Sequence, residues 1–143
     1  MDLIPGVQST SAALQAERIR MEVISQNIAN ANLTKGVDGK PYQRQEVVFE
    51  AMIDRTLGAG GAGPHHGQRV NVSSIITDEK TPRLVYQPGH PDADAEGMVA
   101  YPDINIHEEM VDMIAASRAF EANLAVIKTA KNLAMQTLSI GRR

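Results

Sequence analysis

The spacing of apolar residues predicts a long helix near the start of the chain. Between Gly6 and Asn32, apolar side chains recur every seven residues, and Ser, Thr and Gln fill much of the remaining surface. A proline at position 5 favours helix initiation, and the glycines and proline between positions 36 and 41 predict that the helix has ended. The apolar row comprises Val7, Leu14, Met21 and Ile28, with Ile24 at the intermediate heptad position.

A second long helix is predicted at the other end of the chain. Asn105 and Glu108 have the spacing of an N-cap and its capping-box partner. Acidic residues cluster after this cap and basic residues lie toward the chain end, a polarity that complements the helix dipole. One heptad row contains Met113, Phe120, Ile127 and Ala134, and the alternate row contains Met110, Ser117, Leu124 and Leu138, interrupted by Lys131.

The shared period predicts the fold class. We expect a mainly α protein with a small β-containing middle, whose N- and C-terminal helices pair as a coiled-coil-like domain. Two amphipathic helices of an ordinary bundle are the alternative. In the first interpretation, residues 1–33 and 105–143 form the paired helical domain and residues 34–104 are inserted between them. The predicted assembly seam is Val7, Leu14, Met21, Ile24, Ile28, Met113, Phe120, Leu124, Ile127 and Leu138.

The middle of the chain is predicted to be irregular with a small β-hairpin region. A flexible Gly-rich loop is expected at 58–67, where little apolar surface offsets the entropy of ordering. Two strands separated by a polar turn are expected at Val70–Ile76 and Arg83–Tyr86. The remaining segments are Tyr42–Leu57, which is expected to begin as a strand at Val47-Val48-Phe49 and then turn helical, and the extended Pro88–Pro102.

Composition excludes several classes of function. Aromatic residues make up only 3% of the chain, which favours long helical seams over one thick core. The net charge is −3 and no basic block is present, so we expect no nucleic-acid partner. The absence of cysteine excludes disulfides and thiolate sites. The first six residues contain Asp2 and no Lys or Arg, and no apolar run has membrane-spanning length, so we expect neither a cleaved signal peptide nor a membrane anchor.

An acidic segment resembles the opening of a calcium loop. Asp92, Asp94 and Glu96 are followed by Gly97, and Asp103 falls at the twelfth position. Aspartate is a poorer bidentate ligand than the usual glutamate, and no helix pattern precedes the segment. A structural turn is the competing interpretation, and we expect no metal.

No other residues form a catalytic or ligand-binding pattern. His65 and His66 are adjacent in the Gly-rich segment, while His90 and His107 are far from any third ligand in sequence, so solvated histidines are expected instead of zinc. The Gly cluster lacks the Gly-Lys-Ser/Thr that completes a phosphate-binding loop. No nucleophile-elbow pattern is present, so we expect no enzyme activity, cofactor or small-molecule substrate.

Four segments carry a resemblance to a known family. Residues 21–32, ending in Asn-Ile-Ala-Asn-Ala-Asn, look like the N-terminal signature of flagellar rod and hook proteins. Residues 41–49, 90–102 and 108–123 resemble proximal-rod subunits of the flagellar basal body. The resemblance covers nearly the whole chain and is weakest over 58–67.

The resemblance implies a structural subunit of the proximal rod. Such proteins fold their terminal helices together along the inner wall of the rod. They stack with related rod proteins and copies of themselves around a central channel that serves as drive shaft and export path. The resemblance also implies motility as the process served, a basal-body location in the periplasmic space, and export by the flagellar type III apparatus without a cleaved signal.

Two further interpretations stay open at this point. Phe49 and Ile53 resemble an aromatic-x-x-x-aliphatic export-gate signal, or else form a buried pair on one helix face. The heptads also suit a cytoplasmic coiled-coil adaptor, although an adaptor does not account for the Asn-rich helix end. A calcium-responsive module built on the acidic segment is the third functional class considered.

Overall fold

In the described part of the chain, two long helices flank four strands. The computed structural model describes residues 5–53 and 68–141, with side chains over 7–51 and 70–141. The elements are α1 (Pro5–Asn30), β1 (Gln45–Ile53), β2 (Gln68–Thr77), β3 (Arg83–Tyr86), β4 (Met98–Tyr101) and α2 (Ile106–Ile140). A mainly helical chain with a small antiparallel β-containing middle confirms the predicted fold class.

The ends of both helices follow from local side-chain chemistry. Helix α1 begins at Pro5, and near its end the Asn30 side-chain amide donates to the Gln26 carbonyl at 2.9 Å. The Ala31 N–H donates to the Ile28 carbonyl at 3.3 Å, which satisfies one of the last carbonyls of the helix. Helix α2 has the predicted N-cap, because the Asn105 side chain accepts a hydrogen bond from the His107 N–H at 3.1 Å. The described contacts do not include the predicted return hydrogen bond from Glu108, so only half of the capping box forms.

The two helices pack antiparallel. The end of α1 meets the start of α2 where Asn27 donates to Glu109 at 3.0 Å, and Arg20 lies 3.9 Å from Asp112 further along the pair. The 26 residues of α1 span about 39 Å and the 35 residues of α2 about 52 Å. Among the described elements, α2 packs only against α1. The six buried apolar residues of the described chain are Ala16, Val23, Ile24, Ala31, Val99 and Ala116.

The strands form two separate antiparallel ribbons. Strand β1 pairs with β2, with Gln45 opposite Thr77 and a register irregularity between Val48 and Phe49. This ribbon packs on α1. Strand β3 pairs with β4, with Arg83 opposite Tyr101. The strands predicted at Val70–Ile76 and Arg83–Tyr86 both form, within β2 and as β3, and they pair with β1 and β4.

Two other predictions for the middle of the chain need correction. The segment expected to turn helical after Phe49 continues as strand to Ile53, because β2 supplies a hydrogen-bonding partner along this length. The segment 88–102, predicted to be merely extended, contains β4. A four-residue strand carries too few residues for its alternation to be visible in the sequence.

The connection between β3 and β4 is organised around Asp94 and Gly97. One Asp94 side-chain oxygen accepts from the backbone N–H groups of Glu96 at 2.9 Å and Met98 at 2.8 Å. Gly97 has φ +79°, a left-handed conformation that favours glycine, and its N–H donates to the Asp94 carbonyl at 3.0 Å. The loop therefore closes on itself before β4 begins.

The same loop is fastened to the segment after α1. Asp92 accepts a hydrogen bond from Thr34 at 2.7 Å and forms an ion pair with Lys35 at 2.8 Å. Hydrogen bonds from Lys35 and Thr34, with the positive charge of Lys35, hold the pKa of Asp92 below its usual value. The loop before β4 is thus joined to the segment after α1, although 58 residues separate Thr34 from Asp92.

Several predictions fall outside the described part of the chain. The Gly-rich segment 58–67, with His65 and His66, lies there, so its predicted character stays a prediction. Neither α1 nor α2 combines the length and the apolar character needed for a bilayer span.

Replacing Gly97 with alanine should destabilise the chain. The new Cβ would lie 3.0 Å from a Tyr86 ring carbon and 3.1 Å from the Pro88 Cβ. The left-handed backbone alone costs about 1–2 kcal/mol for a residue with a Cβ. We expect a loss of at least about 1 kcal/mol in urea unfolding.

Gly89→Ala is the matched control in the same loop. A Cβ at Gly89 meets nothing within 4 Å, so this variant should stay within about 0.5 kcal/mol of the parent. Equal stability of the two variants would contradict the assigned role of Gly97.

Candidate functional site

Five buried or half-buried residues form a polar junction where the end of α1, the start of α2 and the segment that enters β1 meet. We call Asn27, Tyr42, Arg44, Gln45 and Glu109 the polar junction. Asn27 is 1% exposed, and its amide donates to the Gln45 carbonyl at 2.8 Å and to Glu109 at 3.0 Å. Its carbonyl oxygen accepts from the Gln45 N–H at 3.0 Å and from the Tyr42 hydroxyl at 3.1 Å. Asn27 therefore pairs with the backbone of the first residue of β1 as a neighbouring strand would.

A buried ion pair completes the polar junction. Glu109 is 1% exposed, and the Arg44 Nε donates to it at 2.7 Å. Burial by itself lowers the pKa of Arg44, but the hydrogen bond with Glu109 and the nearby carboxylates outweigh it and raise that pKa. Burial and the negative charge of Glu109 raise the pKa of the Tyr42 hydroxyl. Each carboxylate oxygen of Glu109 thus has a donor, which a buried charge requires.

An open groove of about 230 Å³ lies over the polar junction, between α1, β1 and α2. Its charged side chains pair with one another: Arg44 with Glu109 and Glu46, and Arg20 with Asp112. The groove therefore presents a mixed surface on which two arginines pair with three carboxylates.

In the acidic segment considered as a calcium loop, two of the carboxylates contact protein groups. Asp92 is engaged by Thr34 and Lys35, and Asp94 accepts from backbone N–H groups of its own loop. Over the described residues, no cluster of three His, Asp or Glu side chains is suited to hold a metal ion. The segment serves as a structural turn.

Apolar side chains are exposed along the whole of α2. Within the described side chains, none of the exposed large hydrophobic residues lies on α1, whose exposed positions are Gln, Ser, Arg, Glu and Ala. Large exposed apolar areas mark interaction surfaces. The exposed apolar residues of α2 are Met110, Val111, Ile114, Leu124, Val126, Leu133, Met135, Leu138 and Ile140.

Comparison with known proteins shows similarity over both ends and nearly the full length. Residues 8–36 match the model of the family described as flagella basal body rod protein, and residues 95–140 match that of the flagellar basal body rod FlgEFG protein C-terminal. The flagellar basal-body rod protein FlgC of Borreliella burgdorferi is 40% identical over 149 residues, covering 98% of each chain. The FlgC proteins of Salmonella typhimurium and Bacillus subtilis are 38% and 36% identical, each covering 99% of this chain and 100% of the relative.

The chain belongs to the FlgC family of flagellar basal-body rod proteins. The polar junction of this FlgC-family chain draws on both matched regions, since Asn27 lies in the first and Glu109 in the second. In the sequence, Asn27 lies in the helix-end signature and Glu109 in the acidic cluster that follows the predicted Asn105 cap. Their contact was not predictable, because 82 residues separate them.

The predicted seam residues fall into two groups in the FlgC-family fold. Ile24 is buried, and seven others are half-buried on the helix pair. Leu124 is 51% and Leu138 68% exposed, so these two are not covered by α1. The half-buried group is Val7, Leu14, Met21, Ile28, Met113, Phe120 and Ile127.

The two residues of the export-signal candidate lie on a strand. Phe49 and Ile53 are in β1, and Phe49 is 37% exposed, while the Ile53 side chain is outside the described side chains. The alternative of a buried pair on one helix face is wrong, because β1 is extended over both positions.

Arg44→Met should destabilise the folded chain strongly. Removing the guanidinium leaves the Glu109 carboxylate buried with one donor fewer, which costs about 3 kcal/mol. We expect this loss in urea unfolding at neutral pH.

Arg20→Met is the control for loss of an arginine from the same groove. The Arg20–Asp112 pair is 3.9 Å apart and its side chains are 35% and 44% exposed, so the loss should stay below about 1 kcal/mol. Similar losses of unfolding free energy in Arg44→Met and Arg20→Met would show that burial of the Arg44–Glu109 pair does not increase its effect on stability.

Proposed function

We propose that this FlgC-family chain is a structural subunit of the bacterial flagellar rod, where it binds other rod proteins and serves motility. The observation that carries the proposal is the match to FlgC rod proteins over nearly the whole chain. The chain acts by assembly and not by catalysis, as expected of this family.

The exposed apolar surface of α2 supports assembly through the helical domain. A lone subunit leaves nine large apolar side chains of α2 exposed, and burying each stabilises association by about 1–2 kcal/mol at best. The predicted seam then has two parts. Its half-buried residues hold α1 against α2, while Leu124 and Leu138 belong to the surface between subunits.

The finer placement follows the resemblance of the terminal segments. We infer that the chain stands in the proximal rod within the periplasmic space, and that its helices contribute to the drive shaft around the export channel. Copies of the chain and related rod proteins are its partners. The flagellar type III apparatus exports it without a cleaved signal, and Phe49 with Ile53 forms the candidate export signal on β1.

The cytoplasmic adaptor is the weaker alternative. The heptads suit it, but full-length similarity to rod proteins does not favour it. Secretion distinguishes the two, because an adaptor stays inside the cell.

Deletion of the gene should leave basal bodies without a completed rod. Electron microscopy of isolated basal bodies should show rings that lack rod and hook, and the cells should not swim. Complementation with the parent gene controls for effects on neighbouring genes. Intact flagella in the deletion strain would refute the rod proposal and favour the cytoplasmic adaptor.

Leu124→Glu should block assembly while leaving the fold intact. Leu124 is already 51% exposed, so the charge should change stability by less than about 0.5 kcal/mol. In an interface between subunits the same charge loses its hydration, so swimming should be lost.

Two further variants are compared with Leu124→Glu. Leu124→Met keeps the apolar surface and should swim normally. Leu14→Glu places a charge in the half-buried seam and should lower stability by about 1–3 kcal/mol. Normal motility of Leu124→Glu would remove this residue from the assembly surface.

A further inference from the structure

Helix α2 extends well beyond α1. Measured from the Asn27–Glu109 contact, α1 runs 22 residues back to Pro5, whereas α2 runs 31 residues on to Ile140. At about 1.5 Å per residue, α2 therefore projects about 14 Å past the described start of α1. We call residues 131–140 the C-terminal overhang, and every one of its residues is exposed.

The seam on α2 continues into the C-terminal overhang. Phe120 and Ile127 are half-buried on the α1-facing side of α2. Lys131, Ala134 and Leu138 follow Ile127 at spacings of four, seven and eleven residues, which keeps them on the same face of the helix. The row of α2 residues that faces α1 therefore continues past the described start of α1. There its side chains are exposed, and Leu138 is 68% exposed. This continuity indicates that another helical surface covers it.

The two ends of α2 have opposite charge. From residue 122 to the end of the chain there are four basic residues and no acidic ones. At the opposite end, Glu108 is exposed, Asp112 is half-buried 3.9 Å from Arg20 of α1, and α2 itself has no Lys or Arg before Arg118. Exposed Met110, Val111 and Ile114 surround these carboxylates. One end is therefore apolar and cationic, and the other is apolar and acidic.

We propose that the C-terminal overhang docks on the acidic, apolar start of the C-terminal helix of a neighbouring rod subunit built like this chain. The proposal rests on the proposed rod function. Lys131 faces the exposed Glu108 carboxylate of that helix start, and Leu138 packs among its aliphatic side chains. Opposite ends of like subunits then meet in a heterologous contact, which propagates along an axis instead of closing on itself.

A photoreactive residue at Leu138 tests the contact. Because the chain has no cysteine, such a probe can also be attached through a single introduced thiol. After irradiation of cells, basal bodies are isolated and crosslinked peptides are sequenced. We expect crosslinks to the first turns of the C-terminal helix of a rod-family subunit. Gln136, exposed on the opposite face of the same turns, is the control position and should not give them.

The crosslinking outcomes separate this inference from the proposed function. Crosslinks from Leu138 to another part of a rod subunit, or to its own α1, would overturn the docking while leaving the rod function standing. Absence of the unmodified chain from basal bodies would overturn both.

A charge reversal gives an independent readout. Lys131→Glu should lower incorporation into basal bodies by at least about tenfold, because like charges then face each other across the contact. Lys131→Arg keeps the charge and should incorporate normally. Circular dichroism should match the parent in both variants, since Lys131 is exposed. Normal incorporation of Lys131→Glu would overturn the proposed pairing.

Discussion

The buried ion pair between Arg44 and Glu109 is the constraint on which the rest of the structure depends. A carboxylate that is 1% exposed must have donors, and these come from α1 and from the segment that enters β1. A buried ion pair adds little net stability compared with apolar packing, but any arrangement that leaves one partner unpaired is costly. The polar junction therefore selects the antiparallel register of the helices and the starting position of β1 together.

The folded subunit buries few apolar side chains and leaves many exposed on α2, as a subunit that assembles through this helix requires. Only six apolar residues of the described chain are buried, and two of them are the alanines Ala16 and Ala116 of the helix pair. The larger aliphatic side chains of α2 remain exposed, so much of the apolar surface in this chain is available for burial between subunits. Polar contacts join the two helices at one end of the pair, and buried and half-buried apolar side chains pack along the remainder.

The β ribbons and loops depend on the helices for their position. The ribbon of β1 and β2 packs on α1, and the loop before β4 is tied to the segment after α1 by Asp92. An isolated two-stranded ribbon is marginal in water. The middle of the chain is therefore ordered through its attachments to the helix pair, which links the two family-matched ends to the segment between them.

The sequence by itself determined the helices, the Asn105 cap and the family. Heptad spacing and capping act between residues a few positions apart, so they can be read without the fold. Strand pairing and the polar junction depended on tertiary structure, because Asn27 and Glu109 meet across 82 residues and several strands compete for each partner. The heptads also could not tell Phe120, covered by α1, from Leu124 and Leu138. All three are apolar at helical spacing, and only the side of α2 on which α1 packs, together with the length of α1, decided which of them it covers.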